Sequence, residues 1–455
     1  MHYYSTRNKN ENVTFADAAL KGLAPDGGLY VPEEIPNYPP AVLASLASMD
    51  FNQIAFETVK PYVKDEISDS ALSDIIKSAF NFTAPLIPVL DRYTSELFHG
   101  PTAAFKDFGA RFMARAFSYL RRGEDRPLKI LVATSGDTGG AVADGFFDVP
   151  GIYVTVLYPA GRVSALQEKQ IAGLGKNITA LAVEGSFDDC QFLVKKALAD
   201  ENLKKRMSLS SANSINISRL IPQAVYYSAA AAKAYNGLFD PDGEATPRSA
   251  GRAAFSHSLN SRKPVTLCVP SGNFGNLTAG LYAMKMGAPI KQFIAATNIN
   301  KTVPDYLDSG EYLARISQAT ISNAMDVGAP SNFERMSAHF SWEEMRRIIL
   351  GAAVSDEETK ETITSIYEQA GYYLDPHSAV GWKGLDKLRV ENKITEDVSI
   401  ILCTAHPAKF SEIVEPLLGA VPVPVSLKNA MERKADSKRI PADVSALIDT
   451  LNESL

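Results

Sequence analysis

Hydrophobic positions change their period along the chain, and the changes mark out its parts. From Asp50 to Phe80 they recur with helical spacing, at Ile54, Val59 and Val63, then at Leu72, Ile75, Ile76 and Phe80. Ahead of them, "VTFADAALKGLAPDGGLYVP" predicts a short helix from Phe15 to Leu23 and a turn at Pro25-Asp26-Gly27-Gly28. The apolar run Leu29-Tyr30-Val31 follows. These segments predict a small, mainly helical N-terminal domain, residues 1–85, ending near "NFTAPLIPV". From Lys129 the pattern switches. "KILVA" precedes "SGDTGGAVADGFF", "IYVTVLYP" precedes "RVSALQEKQIAGL", and "ITALAVEG" precedes "FDDCQFLVKKALAD". "VTLCVPSGNFGNLTAGLYAMKMG", "QFIAAT" and "VSIILCTAHPAKFSEIVEPLL" repeat the theme. Short β-branched runs alternating with amphipathic helices predict an α/β fold of parallel-sheet βαβ units. Ligands are then expected at the carboxyl ends of the strands. The stretch 236–263, rich in Gly, Pro, Ser and Asp, breaks the rhythm and reads as a surface insertion between a helix and a strand.

Composition narrows the class. At 455 residues the chain is too long for one core, so two or three domains are expected. With 45% apolar and 22% charged residues it is an ordinary globular protein. A net charge of −6 gives no footprint for nucleic acid or an anionic membrane, so an anionic small substrate needs a local cationic pocket. Cys190, Cys268 and Cys403 are far apart, which argues against a disulfide framework and fits a reducing compartment. "MHYYSTRNKNEN" lacks the apolar segment of a secretory signal, and no apolar run approaches a membrane span. The expectation is a soluble, cytoplasmic protein.

Two turns each follow a predicted strand and open a helix: "ATSGDTGGAV" and "VPSGNFGNLTAG". Glycine admits close backbone approach, and the following helix offers free N–H groups to an anion. Tight turns also need Gly for local reasons, but two such loops in one βαβ array point to a phosphate-bearing ligand. Neither is a Walker loop, which needs Lys-Ser/Thr after its last glycine. In "FHGPTAAFKDFGARF", Lys106 sits among small and aromatic residues. Either its stem covers apolar surface while its amine reaches water, or burial lowers its pKa and makes the amine reactive.

These motifs, in this order, resemble the threonine synthase family of pyridoxal-phosphate enzymes, in the tryptophan-synthase-β fold group. The resemblance runs from "YYSTR" and "GLAPDGGLYVP" through "FHGPTAAFKDFGARF", "ATSGDTGGA", "YPAGRVSALQEKQ", "VEGSFDDCQ" and "SANSINISRL". It continues through "PSGNFGN", "NAMDVGAPSNFER", "DPHSAVG" and "TAHPAKF". It implies a fold-type-II enzyme whose catalytic region, 86–455, has two α/β lobes. Roughly 110–215 would form a substrate-loop lobe, and the remainder a cofactor-phosphate lobe. By the resemblance, Lys106 is the Schiff-base lysine. Gly272, Asn273, Phe274, Gly275 and Asn276 hold the cofactor phosphate, and Thr404 hydrogen-bonds the pyridine nitrogen. Ser135, Gly136 and Thr138 are expected to bind the substrate carboxylate. Asp137, awkward beside anions, is expected to cap the helix starting at Gly139.

The implied reaction converts O-phosphohomoserine and water to threonine and phosphate by γ-elimination and β-addition of water. A dianionic substrate phosphate needs several donors. Arg111, Arg162, Ser164 and Asn216 are the candidates, with Asn213, Ser214 and Arg219. Phe105 and Phe108 are expected to keep Lys106 dry. His406 with Cys403 is too sparse for a metal site, so no metal is expected. Asp375 and Pro376 read as a helix start with His377 beside them. The assembly is expected to be a monomer or homodimer.

Overall fold

The computed structural model describes residues 1–240, 262–394 and 398–453. Most of the insertion, 241–261, lies outside the described residues. Its near edge is anchored: Leu86 and Asp240 exchange two hydrogen bonds of 2.8 Å, and Lys233 pairs with Asp240.

The strand Leu128–Ala133 is buried at every position, as a central parallel strand flanked on both faces must be. It pairs in parallel with Ile152–Pro159 and with Ser208–Ser211. Ile178–Glu184 and Lys438–Pro441 complete this five-stranded sheet on the far side. A second sheet runs Ile349–Ala353, Ile290–Thr297, Val265–Pro270, Ser399–Cys403, Arg92–Glu96, Leu86–Val89. Its pairings are parallel except the edge hairpin Leu86–Val89/Arg92–Glu96. The expected α/β architecture is thus present as two parallel sheets.

The chain's end departs from the expected division into lobes. Lys438–Pro441 and the helix Val444–Glu453 join the sheet built from 128–211, where Leu447 and Leu451 bury against Leu181, Leu193 and Val194. The N-terminal region holds the helices Phe15–Lys21, Phe51–Val63 and Asp69–Ala79. It also holds a three-stranded antiparallel sheet of Asn8–Val13, Tyr3–Ser5 and Tyr30–Pro32. The first two strands escape a hydrophobic-period reading because "NKNENV" is nearly all polar and mostly exposed. Among the described residues no helix is long and apolar enough to cross a membrane.

Candidate active site

The glycine loops and the Lys106 and Thr404 motifs gather at the carboxyl ends of strands of both sheets, where parallel α/β sheets bind ligands. Ser399–Cys403 leads into Thr404, and Arg92–Glu96 leads into the Lys106 segment. These two continuations are stitched together. The Phe105 N–H donates to the Thr404 carbonyl (2.9 Å), the His406 N–H to the Ala103 carbonyl (3.0 Å), and Ala104 bridges Ala405. Lys106 opens the helix Lys106–Leu120, which has no side-chain cap. This helix buries Phe108, Phe112, Met113 and Phe117 at helical spacing.

The Lys106 side chain is only 14% exposed and its ammonium lies 5.2 Å from the Phe105 ring. Phe105 therefore does wall it. Phe108 does not: two residues on, it points away and packs with Phe51, Phe80, Phe82 and Tyr226. Burial lowers the Lys106 pKa, and Lys409 and Arg219 add to that against the pull of Asp137.

Asp137 is not a cap in the structure. It is the first residue of the helix Asp137–Phe146, and Thr134 takes the capping work, its Oγ1 accepting from the N–H groups of Gly136 and Gly139 at 2.9 Å each. The carboxylate is spent instead on Lys409 Nζ (2.8 Å), Lys106 Nζ (3.4 Å) and Gln167 Nε2 (3.1 Å). Burial alone would raise its pKa, but Lys409 and Lys106 hold it well below the usual carboxylate range. Ser135 and Thr138 are half-buried beside it and Gly136 is buried. Among the described residues the N–H groups of Ser135, Asp137 and Thr138 find no protein acceptor.

The second glycine loop, after Val265–Pro270, shows a longer row. Among the described residues, none of the backbone N–H groups of Gly272, Asn273, Phe274, Gly275 and Asn276 has a protein acceptor. They lead into the helix Gly275–Met286, which also lacks a side-chain cap. Phe274 is held at φ 58°, uncommon for a residue with a side chain and typical of functional turns. A Cβ on Gly272 would lie 2.6 Å from the Ala324 carbonyl oxygen, so only glycine fits. Side chains fix the loop from behind. Asn273 donates to Ser214 Oγ (2.5 Å) and accepts from the Ser331 N–H (2.6 Å), and Asn276 donates to the Pro270 carbonyl (2.9 Å). Asn332 donates to the carbonyls of Ser214 and Asn273 (3.3 and 3.1 Å), binding the "SANSIN" and "GNFGN" segments together.

Two of the phosphate candidates are elsewhere. Arg111 donates to the carbonyls of Ala79 and Ser78, to Asn81 Oδ1 and to Asp144. It fastens the helix Asp69–Ala79 to the helix Lys106–Leu120, with four of its five N–H donors engaged by protein acceptors. Asn216 is fully buried, capping the helix Ile217–Leu220 through Oδ1 and donating to the carbonyls of Ala19 and Ser211. Ser164 caps the helix Ala165–Ala172 in a capping box with Gln167, and Arg162 is exposed in the turn before it. Arg219 stands out: it is buried, donates Nη1 to the Ala212 carbonyl (2.6 Å), and its Nε has no partner among the described residues. Asn213 Oδ1 is likewise buried without a partner among them. Two unsatisfied buried polar atoms six residues apart, in the helix Ile217–Leu220 and the segment leading into it, are expensive unless a ligand meets them.

Asp375 caps the helix Pro376–Val390 as expected, accepting from the N–H groups of His377 and Ser378. His377 Nε2 accepts from the Ala324 N–H (3.2 Å), which makes Nδ1 the donor to Asp375 (2.8 Å). His406 Nδ1 accepts from the Ala408 N–H, stabilising its own turn. Lys409, three residues on and fully buried, was not singled out from the sequence. Its Pro-Ala-Lys-Phe setting carries the same signal as that of Lys106.

Residues 2–80 match the description "Threonine synthase N terminus", residues 95–404 "Pyridoxal-phosphate dependent enzyme" and residues 378–450 "Threonine synthase, C-terminal". The threonine synthase of Escherichia coli K12 is 42% identical over 451 residues, covering 98% of both chains. The chain belongs to the threonine synthase family. A crystal structure of an Escherichia coli threonine synthase superposes with a TM-score of 0.87 at 40% identity, over 100% of both chains. A pyridoxal-phosphate-bound threonine synthase from Brucella melitensis superposes at 0.86 with 33% identity, over 100% of this chain and 99% of the other. The fold-type-II expectation holds, and the protein is a pyridoxal-phosphate-dependent lyase of threonine biosynthesis. The residues fit that cofactor: a sheltered amine, five adjacent unengaged amides for a phosphate, and the Thr404 hydroxyl at a strand end.

Proposed function

We infer that the chain converts O-phospho-L-homoserine and water to L-threonine and phosphate, the last step of threonine biosynthesis. The single observation that supports this best is likeness to threonine synthases along the whole chain, with Lys106 at the junction of both glycine-loop lobes. Lys106 would hold pyridoxal 5'-phosphate through its amine, the amides of Gly272 to Asn276 its phosphate, and Thr404 its ring nitrogen. When bound, the cofactor supplies an electron sink for the substrate's α- and β-carbons.

The remaining work falls to side chains. Burial favours the neutral amine of Lys106, so Nζ can take the substrate α-proton and later return one. Ser135 and Thr138 orient the substrate carboxylate with their N–H and hydroxyl groups, and Gly136, whose N–H is held by Thr134, lets the backbone come close to it. Arg219 and Ser214, with Asn213 next to Ser214 in the chain, are better placed for the substrate phosphate than Arg111 or Asn216, because the Arg219 Nε donor is buried without a partner among the described residues and Ser214 meets Asn273. Ser164 reaches the first loop through Gln167, which donates to Asp137, and Arg162 in the exposed turn before it completes the set. We take the protein to be cytoplasmic, a monomer or homodimer, acting on a small molecule without nucleic-acid or membrane partners. Its net charge of −6 supports this.

The test is product analysis with phosphohomoserine, joined to borohydride trapping. Threonine and phosphate in equal amounts, with a pyridoxyl group on Lys106, are expected. Lys106→Ala should lower turnover by at least ~10³-fold, the scale of losing a positioned acid–base group together with cofactor attachment. 2-Oxobutyrate as main product would instead indicate a dehydratase, and an untrapped lysine would remove the assignment of Lys106.

A further inference from the structure

A buried carboxylate beside the cofactor lysine raises a physical problem that the named site residues do not solve. Asp137 is 3% exposed and sits within a loop meant for an anionic substrate. If Lys106 were its only cation, any step that uses the Lys106 amine would leave an unpaired charge in a dry site, which is strongly unfavourable. A second cation is present. Lys409, 0% exposed, reaches Asp137 Oδ1 at 2.8 Å and the Thr102 carbonyl at 2.8 Å, while Lys106 reaches Oδ2 at 3.4 Å. Gln167 Nε2 also binds Oδ1, and Gln170 Nε2 also donates to the Thr102 carbonyl (3.2 Å). The tight partner of Asp137 is therefore the lysine with no assigned role, and the loose partner is the one that does the chemistry.

We propose that Lys409 is a positioning residue that serves as the standing counter-ion of Asp137, leaving the proton on Lys106 as the labile one of the cluster. This rests on the reading of Lys106 as the cofactor lysine. The groups facing the cluster act on Lys106 in both directions. Lys409 and Arg219 both disfavour charge on Lys106, and Asp137 favours it. Asp107 bears on Lys409 and Arg219 from the next position of the lysine helix, and His377 faces Asp137 from the helix Pro376–Val390. Removing the Lys409 cation takes away one repulsion and leaves Asp137 to pair with Lys106 alone. Both changes hold the proton on Lys106 more tightly. Removing the Asp137 carboxylate does the reverse.

The experiment reads the proton directly instead of turnover. Full-length protein freed of cofactor is trace-acetylated with acetic anhydride from pH 6 to 10, and Lys106 labelling is quantified by mass spectrometry. In Lys409→Met the labelling midpoint should rise by about one pH unit or more, a tenfold loss of neutral amine at a fixed lower pH. Lys409→Arg, which keeps the cation, should stay near wild type, and Asp137→Asn should fall below it. An unmoved midpoint in folded Lys409→Met reduces Lys409 to packing and overturns the proposal. If Lys409→Met does not fold, an unmoved or raised midpoint in Asp137→Asn overturns it equally. Pyridoxal 5'-phosphate with borohydride, run on wild type in parallel, separates the two layers. Failure to label Lys106 there overturns the lysine assignment and this proposal with it, whereas normal capture with unmoved midpoints overturns the proposal alone.

Discussion

Asp107, next to Lys106, is completely buried and accepts both the N–H (2.9 Å) and the hydroxyl (2.5 Å) of Thr102. Burial, with Asp144 nearby, pushes its carboxyl from 3.8 up to about 7. Between those values the folded chain holds a proton that the unfolded chain has released. Its contribution to stability is therefore full below about pH 4 and is lost as pH rises to about 7, with a slope on the order of 1.4 kcal/mol per pH unit. Asp107→Asn should lack this component. Urea unfolding at pH 5 and pH 7 should show wild type losing more stability than the variant, and equal losses would contradict it. At this scale the sequence was informative where chemistry demands one residue type in an unusual setting, as at Lys106. It misled where a polar side chain has a local use. Arg111 and Asn216 look like ligands in a motif, but their partners, such as the Ala79 and Ala19 carbonyls, are distant in sequence.

The lysine helix is held by its buried large residues and also by a close approach at a small one. A Cβ on Gly109 would lie 2.7 Å from the Arg219 carbonyl oxygen, so Lys106–Leu120 and Ile217–Leu220 touch backbone to side. Gly109→Ala must push Arg219 away. The expected cost is ~1–3 kcal/mol of stability, with a rise in KM for phosphohomoserine that exceeds the fall in kcat. Thermal unfolding and steady-state kinetics check it, and an unchanged KM would separate Arg219 from the substrate phosphate. Strands, glycine loops and their order were legible because an apolar run such as "LKILVA" followed by Thr-Ser-Gly has few other readings. The polar strand Asn8–Val13 was not, since its pairing with Tyr3–Ser5 is decided by tertiary contact and not by its own period.

On the scale of the molecule, Arg335 joins three regions. It is fully buried and donates to the Tyr30 carbonyl of the N-terminal sheet, the Ile215 carbonyl, and Asn332 Oδ1, while Asn332 holds the Asn273 loop. Arg335→Met leaves those acceptors buried and unsatisfied, a loss of several kcal/mol at roughly 1–3 kcal/mol for each group. Hydrogen exchange should quicken in both the N-terminal sheet and the first hydrogen-bonded amides after the Asn273 loop, Leu277 and Thr278. Acceleration confined to one of them would sever the link. No local pattern reveals such a bond, because its ends are some 305 positions apart. The same separation in sequence governs how the protein is made. Thr404 and Lys409 complete the pocket around Lys106, and the strand Lys438–Pro441 closes the sheet that begins at Leu128. A ribosome adding 5–20 residues per second needs roughly 15–60 s to travel from Lys106 to Lys409. Throughout that interval the nascent lysine has neither its counter-ion cluster nor its stitched strand end. On the proposed reading of Lys106, cofactor capture is thereby postponed until synthesis is nearly finished, and a prematurely terminated chain leaves the amine without its cluster.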